Sequence, residues 1–219
     1  MAQVTAGRQE RTNRRGDATR QLLIEAATTT LKEHGYAGAS ARVIADRAGV
    51  NQGLIFYHFD SVVGLLLAAL DDVSATRAAR YGEAVAGVTT PAELVDVATS
   101  IFREDLEAGH VAVLVAMMAG AASTPGLGPD VASRIAPWTA FAREAVSGVL
   151  AGSPIGSLVS ADEVAYAIVA LYLGMEMLTE LDGDRGPADA LFARIGTIAG
   201  LLSMTGVPGT QGPTGGEAP

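Results

Sequence analysis

Residues 40–65, SARVIADRAGVNQGLIFYHFDSVVGL, constrain the fold more than any other part of the chain. Ser40 is a typical cap for a short helix over about 41–48, because its hydroxyl can accept a hydrogen bond from a free backbone N–H. Gly49 would end that helix, since glycine readily adopts the left-handed conformation. Asn51 would cap a second helix over about 52–59. Two short helices joined so tightly are compact enough to place the second in the major groove of DNA.

Helical patterns continue on both sides of this unit. Apolar residues at one-face spacing predict a preceding helix from about residue 17 to residue 34, which Gly35 would end. Ser61 would cap a long following helix that reaches about residue 87. The helices expected over about 17–34, 41–48 and 52–59 together predict a helix-turn-helix domain over residues 17–62.

The rest of the chain has no strand-like alternation and reads as five more helices separated by Gly- and Pro-rich breaks. Their expected bounds are about 91–108, 110–122, 130–150, 160–181 and 187–205. We therefore expect an all-α protein of about nine helices, with a larger C-terminal helical domain over residues 63–205. Residues 1–16 are expected to be a disordered basic arm, and residues 206–219, rich in Gly and Pro, a disordered tail.

The charges are unevenly distributed along the chain. Residues 1–60 hold eight Lys and Arg against six Asp and Glu, a balance of +2, while the rest holds seven against eighteen, a balance of −11. An acidic protein can still bind DNA when its cations share one surface, because attraction to phosphate is local. The alternative is that the arginine-rich start is a solubilising tail.

Composition and motifs argue against other classes of protein. The chain has no cysteine, which excludes disulfides and thiolate metal sites. Of two very apolar stretches, residues 111–122 are too short to span a bilayer and residues 164–181 carry Glu176 and Glu180, so we expect buried helices and no membrane. Neither an HExxH nor a GxSxG motif occurs. We expect a cytoplasmic protein that is not an enzyme and needs no cofactor or metal.

The N-terminal motifs resemble the TetR family of bacterial transcriptional regulators. The matching residues are HGY at 34–36, IADRAGV at 44–50 and NQGLIFYHF at 51–59, followed by a leucine-rich helix. The resemblance implies a homodimer in which each subunit places its third helix in one half of a near-palindromic operator in double-stranded DNA. It also implies that a small-molecule effector binds the C-terminal domain and changes the separation of the two reading helices.

The resemblance assigns DNA contacts residue by residue. Gln52 stands where the family often contacts base edges, and a glutamine amide can bridge adenine N6 and N7. Gly53 would let the backbone approach the sugar-phosphate wall, while His58 is either a DNA contact or a structural cap at the helix end. The full set of expected DNA-binding residues is Arg14, Arg15, Arg42, Asn51, Gln52, Gly53, Phe56, Tyr57 and His58.

Three positions depart from the family pattern. Leu54, Phe56 and Val62 stand where the family usually has Thr or Ser, Tyr and Lys, so three donors to phosphate are absent. Each absent contact removes part of the salt-dependent attraction to DNA. We expect the N-terminal arginines to compensate, for example by entering the minor groove as other arginine arms do; they are Arg8, Arg11, Arg14, Arg15 and Arg20.

Aromatic residues and methionines in the C-terminal half are the candidate effector contacts, because rings and flexible thioethers suit a hydrophobic or amphipathic ligand. The alternative is that they are ordinary core residues. The set is Phe102, Met117, Met118, Trp138, Phe141, Tyr166, Tyr172 and Met175.

The last two helices are rich in Ala, Gly and branched apolar residues, so this apolar pair needs a partner. The resemblance implies that the pair forms a four-helix dimer interface; burial within one subunit is the alternative. Two functions are compatible with the sequence. One is a transcriptional regulator, repressor or activator, and the other is a helical ligand-binding or scaffolding protein that has lost DNA binding.

Overall fold

The computed structural model describes residues 2–150 and 159–205, with side chains over residues 14–150 and 159–201. Within these residues the chain forms nine α-helices and no strand, which confirms the predicted all-α class. The helices are α1 Ala2–Gly38, α2 Ala41–Ala48, α3 Gly53–Phe59, α4 Val62–Val85, α5 Pro91–Ala108, α6 His110–Ala121, α7 Leu127–Leu150, α8 Ala161–Asp182 and α9 Gly186–Thr205. The expected tail over residues 206–219 lies outside the described residues.

Helix α1 is longer than the sequence suggested. It begins at Ala2, so the prediction of a disordered arm is wrong for residues 2–16. This stretch lacks an apolar face, but it is rich in Ala, Gln, Glu and Arg and contains no proline, and these residues favour helix without burial. At the other end, Gly35 has φ 63 and ψ −173, and it interrupts the helix where the sequence placed its end.

The turn between α2 and α3 forms as the capping residues predict. The backbone N–H of Val43 donates to Ser40 Oγ at 3.4 Å, and Gly49 adopts the left-handed conformation with φ 66. Asn51 Oδ1 accepts a hydrogen bond of 2.7 Å from the backbone N–H of Gly53. These contacts satisfy backbone groups that helix ends leave free, and so they fix the angle at which α3 leaves α2.

One apolar core joins the N-terminal helices to the C-terminal domain. Leu23, Ile44, Ile55 and Leu65 come from α1, α2, α3 and α4 and are inaccessible to solvent. The same cluster continues through Met117 of α6 to α7. Helix α1 accordingly packs against both α4 and α6, so the small domain shares its core with the larger one.

The C-terminal domain is built from two further helix pairs. Helix α7 packs chiefly against α8, and α9 packs against α5. Phe102 of α5 and Phe192 of α9 form a second buried cluster, in which their ring centroids are 5.1 Å apart. Helix α4 runs along this domain and therefore connects it directly to α3.

Helices α1 and α6 approach closely at Gly120, which faces the ring of Tyr36. The Tyr36 hydroxyl lies 3.0 Å from Thr124 Oγ1, and Lys32 Nζ donates to the carbonyl of Ala108 at 2.8 Å. These polar contacts fix the small domain against the turns at both ends of α6.

Replacing Gly120 by alanine should destabilise the protein, because a Cβ at this position would overlap the Tyr36 ring. Overpacking of this kind costs about 1–3 kcal/mol in the free energy of unfolding. Urea unfolding followed by circular dichroism measures it. The matched control is Gly82→Ala in α4, where a Cβ meets open space and stability should rise slightly. Equal stability of G120A and the unmodified chain would contradict this packing.

Candidate nucleic-acid interface and ligand cavity

Helix α3 presents polar and aromatic groups to solvent and apolar groups to the core. Ile55 and Phe59 are buried, whereas Phe56 is 48% and Tyr57 is 79% exposed. Gln52 is also exposed and adopts helical geometry just before the first residue of α3. Side chains four residues apart lie on the same helix face. The face that carries Ile55 and Phe59 is buried, so the start of α3, Phe56 and Tyr57 face solvent. This is the geometry of a helix that can enter a groove.

The exposed surface continues from α3 onto α2 and its turn. The Arg42 side chain is 86% exposed, and its Nε lies 3.8 Å from Asp46 Oδ2. An exposed ion pair of this length is weak, so the guanidinium can exchange Asp46 for another anion at little cost. Asn51 and Gly53 are also exposed.

The first described side chains of α1 lie beside the end of α3. The Arg20 guanidinium carbon is 5.1 Å from the centroid of the Phe59 ring. A Cβ built on Gly16 would be 3.9 Å from His58 Cε1. His58 is half-buried between the two helices, which favours the structural alternative for this residue. Arg14 and Arg15 are exposed on the same helix and bring positive charge close to α3.

The three departures from the family pattern have different environments. Leu54 and Val62 are partly buried and pack against the apolar core. Their side chains therefore stabilise the small domain at positions where a polar residue would be partly desolvated. Phe56 is the exposed one of the three, so its ring remains available to a partner without a phosphate donor.

A cavity of about 240 Å³ lies in the C-terminal domain. Its wall is formed by α4, α5, α7, α8 and α9 with one residue of α6, and it is overwhelmingly apolar. Three side chains in the wall, Arg77, Tyr81 and Tyr172, bond to a single carboxylate, that of Asp105. Because they share this partner, they lie together on one side of the cavity.

The structure brings only part of the predicted effector set together. Four of its members line the cavity: Trp138, Phe141, Tyr172 and Met175. The other four are outside the lining. Phe102 is buried behind the ring of Tyr172, at a centroid distance of 5.7 Å, and Met117 lies in the core shared with α1. Met118 and Tyr166 are exposed. Helical spacing alone could not separate these environments, because all eight residues lie on apolar helices.

Arg77 and Tyr81 are polar cavity residues that sequence reasoning missed. They are four residues apart on α4, and Arg77 Nε donates to the Tyr81 hydroxyl at 3.3 Å. Arg77 is 7% exposed, whereas Arg80 on the same helix is exposed. The sequence offers no signal that separates these two arginines, because the distinction depends on Asp105, which lies on another helix.

Asp105 is the centre of a buried polar cluster. It is 1% exposed and accepts hydrogen bonds from Arg77, Tyr81 and Tyr172, while His110 Nδ1 lies 3.2 Å from its Oδ1. Burial tends to lower the pKa of Arg77, but the charge of Asp105 outweighs it and the pKa is raised. Burial, followed by the neighbouring carboxylates, raises the pKa of Tyr172. Arg77 is therefore charged and Tyr172 neutral at physiological pH.

Glu176 is a second buried carboxyl group, one turn beyond Tyr172 on α8. It is 1% exposed, and neither of its carboxyl oxygens has a hydrogen-bond partner in the described part of the chain. Burial, followed by the charge of Asp105, raises its pKa to about 8. At neutral pH Glu176 is thus mainly protonated, which avoids placing a second buried negative charge beside Asp105.

Helices α8 and α9 expose apolar side chains to solvent. By length and composition α8 could cross a membrane, with 22% of its most apolar window buried, and the sharply bent α3–α4 pair could do so if taken as one span. One or two such helices are weak evidence, since core helices of soluble proteins also meet this test. The exposed apolar residues are Tyr166, Ile168, Leu171, Met177, Leu178 and Leu181 of α8 with Ile198 and Leu201 of α9.

Comparison with known proteins finds similarity to one family of regulators. The model for bacterial regulatory proteins of the tetR family matches residues 23–69. An uncharacterized HTH-type transcriptional regulator of Mycobacterium tuberculosis is 34% identical over 108 residues, which cover 49% of this chain and 55% of that protein. The crystal structure of a TetR transcriptional regulator from Chloroflexus aurantiacus superimposes with a TM-score of 0.70 at 25% identity, covering 84% of this chain and 95% of that chain.

The chain is similar to TetR-family regulators, with the match to the family model confined to residues 23–69. The HTH-type transcriptional repressor AcnR of Corynebacterium diphtheriae is 41% identical over 68 residues, covering 31% of this chain and 33% of its own length. The chain thus spans about half, or less, of the length of these curated relatives. The TetR family model covers the end of α1 from residue 23 onward, all of α2 and α3 and the start of α4, and it ends before Arg77.

The raised pKa of Glu176 predicts how stability varies with pH. The ordinary value is 4.5 and the value in the fold is about 8, so the folded state holds the proton more tightly. Stability that is fully present below about pH 4.5 is therefore lost as the pH rises through about 8. Glu176→Gln stays neutral and should abolish this loss. Its advantage over the unmodified chain should reach on the order of a few kcal/mol at about pH 9, measured by urea unfolding from about pH 5 to 9.

The control for this experiment is Glu144→Gln, which removes an exposed carboxylate of α7. This variant should follow the pH profile of the unmodified chain. Parallel profiles for E176Q and the unmodified chain would show that the Glu176 carboxyl titrates normally.

Proposed function

We propose that this protein is a sequence-specific DNA-binding transcriptional regulator acting in the cytoplasm. In this proposal it is a repressor that leaves a near-palindromic operator when a small hydrophobic or amphipathic effector binds its cavity. The observation that carries the proposal is the exposed polar and aromatic surface of α3, held on a three-helix core by the buried Ile55 and Phe59. The relative named as a repressor, AcnR, supports the direction of regulation.

In this function the start of α3 reads the bases. Gln52 is exposed where the helix begins, and its amide can donate to and accept from one adenine edge. Gly53 has no side chain, so the backbone beside it can approach the groove wall. Tyr57 extends from the next turn toward phosphate or a thymine methyl group, and Arg42 of α2 would meet the adjacent phosphate.

The N-terminal part of α1 supplies positive charge next to α3. Helix α1 would therefore supply the DNA contacts expected of the basic arm, because Arg14 and Arg15 are exposed close to the end of α3. A helix of this kind would follow the phosphate backbone instead of entering the minor groove as a flexible strand. Its charge compensates for the donors that are absent at Leu54, Phe56 and Val62.

Dimerisation is proposed to bury the exposed apolar face of α8 and α9. Leu178 is 58% and Leu181 is 75% exposed in the single chain. A two-fold interface would pair this face with its own copy, so both copies would be covered at once. Two residues of the face, Ile168 and Leu171, also line the cavity, which would connect the dimer interface to the bound effector.

Helix α4 offers the connection from the cavity to the DNA. Its second half carries Arg77 and Tyr81 in the cavity wall, and its first residues follow α3 directly. A ligand that shifts α4 would change the separation of the two reading helices. Half-sites lie about one helical turn apart, or a multiple of it, so the shifted dimer would no longer match the operator.

Gln52→Ala should weaken binding to the operator. Loss of one bidentate base contact costs about 1–3 kcal/mol per site. The measurement is a gel-shift titration on the DNA that flanks the gene, with an excess of unrelated duplex as competitor. Binding by the unmodified chain should be sequence-specific and should fall as salt increases.

The matched control is Gln21→Ala, because Gln21 is an exposed glutamine of α1 whose side chain pairs with Glu25. It should bind the operator as the unmodified chain does. If no DNA fragment is retained by the unmodified chain at low salt, the alternative function of a helical ligand-binding protein without DNA binding is favoured.

Leu178→Glu should convert the proposed dimer to a monomer. Two-fold symmetry would place two uncompensated carboxylates in one apolar interface, and burying an unpaired charge is costly. Sedimentation velocity should show a dimer for the unmodified chain and a monomer for the variant at the same concentration.

Leu22→Glu tests whether any exposed Leu-to-Glu change has this effect. Leu22 is 48% exposed on α1, far from α8 in the chain, and its substitution should leave the dimer intact. A monomeric unmodified chain, or equal dissociation of both variants, would contradict the assignment of the interface to α8 and α9.

A further inference from the structure

The polar side of the cavity presents a distinctive set of groups. Arg77, Tyr81 and Tyr172 all line the wall, and all three turn toward Asp105, which lies behind the wall and outside the lining. A bound molecule would therefore meet a guanidinium and two phenols before it meets any carboxylate. Arginine offers five N–H donors and no acceptor. Both phenols donate their single O–H to Asp105, so the N–H donors left for a ligand on this side of the cavity belong to Arg77.

The aromatic rings near this side are already engaged by a cation. The guanidinium carbon of Arg77 lies 5.0 Å from the centroid of the Trp138 ring and 5.6 Å from that of Tyr81. Aromatic cavities often bind ligand cations over their ring faces. Here the resident guanidinium has taken that position, and it would repel a second positive charge.

The nearby carboxyl groups offer a cationic ligand no free anionic partner. Asp105 already receives hydrogen bonds from Arg77, Tyr81 and Tyr172. Glu176 is outside the lining of the cavity, and its raised pKa keeps it mainly neutral at physiological pH. A cationic ligand would find no unpaired anion in the wall, whereas an oxygen acceptor would find charged N–H donors.

We propose that the cavity binds an apolar molecule carrying one hydrogen-bond acceptor, a carbonyl or carboxylate oxygen, which is held at the Arg77 guanidinium, and that it rejects apolar cations. This inference rests on the proposed function only in treating the cavity as the effector site. The cavity volume of about 240 Å³ accommodates on the order of ten non-hydrogen atoms, given about 30 Å³ for a water molecule in the liquid.

Trp138 provides a direct measurement of binding without DNA. It is the single tryptophan of the chain and lines the cavity, so its emission reports occupancy. The probes are three molecules with ten-carbon chains and different ends: 2-decanone, decanoate and decylammonium. 2-Decanone and decanoate are the two acceptor probes, because each carries an oxygen that can accept a hydrogen bond from Arg77. Their relative affinities distinguish recognition of a neutral carbonyl from recognition of a carboxylate. At least one of them should bind about tenfold or more tightly than decylammonium, as expected for a hydrogen bond to a charged group.

Arg77→Gln should reduce this preference to about threefold or less, because the charged donor is removed. The control is Ala145→Phe, which fills the apolar wall and should weaken all three probes alike. If R77Q fails to fold, the order of the three probes on the unmodified chain decides the question alone. Equal or tighter binding of decylammonium, or no binding of either acceptor probe at its solubility limit, overturns the inference.

Operator release, measured with the same probes, separates this inference from the proposed function. Selective binding of an acceptor probe without release of DNA supports the cavity assignment and removes the effector step from the proposed function. If decylammonium releases DNA and neither acceptor probe does, the effector step of the proposed function is supported and the proposed ligand class is wrong.

Discussion

The buried carboxylate of Asp105 organises the C-terminal domain. A charged group in an apolar interior is tolerated only when it is paired and hydrogen-bonded. Asp105, on α5, meets this requirement through Arg77 and Tyr81 of α4, Tyr172 of α8 and the His110 ring at the start of α6. Four helices thus converge on one side chain, and removing Asp105 would take a shared acceptor from three buried or half-buried side chains. The cluster joins α4, α5 and α8, which also contribute to the wall of the cavity.

This arrangement would give the cavity a mechanical connection to the proposed DNA-binding surface. Arg77 belongs to both the Asp105 cluster and the cavity wall. From Arg77, α4 runs back to its own first residues, which lie directly after α3. A second connection runs through α6, which packs against α1 with Gly120 against Tyr36. Since packed interfaces change between discrete arrangements and do not deform continuously, a small displacement at Arg77 can be carried to the reading helices.

The local sequence was sufficient to predict most helix boundaries and the turn before α3. Ser40, Gly49, Asn51 and Ser61 act through hydrogen bonds or backbone preferences that reach only a few residues, so their effects can be read from their neighbours. The start of α1 was mispredicted for a related reason. Residues 2–16 carry no apolar face, yet they are helical from Ala2 onward, and helix propensity is the local factor that favours this.

What the sequence by itself determined is the all-α class, the helix-turn-helix unit and the outward face of α3, because short-range capping and helical periodicity specify them. Only the tertiary structure separated Trp138 and Phe141 in the cavity wall from Met117 in the core and Met118 at the surface. The tertiary structure also distinguished Arg77 from Arg80. Burial and ion pairing depend on which helices meet, and the residues that meet at Asp105 are far apart in the chain.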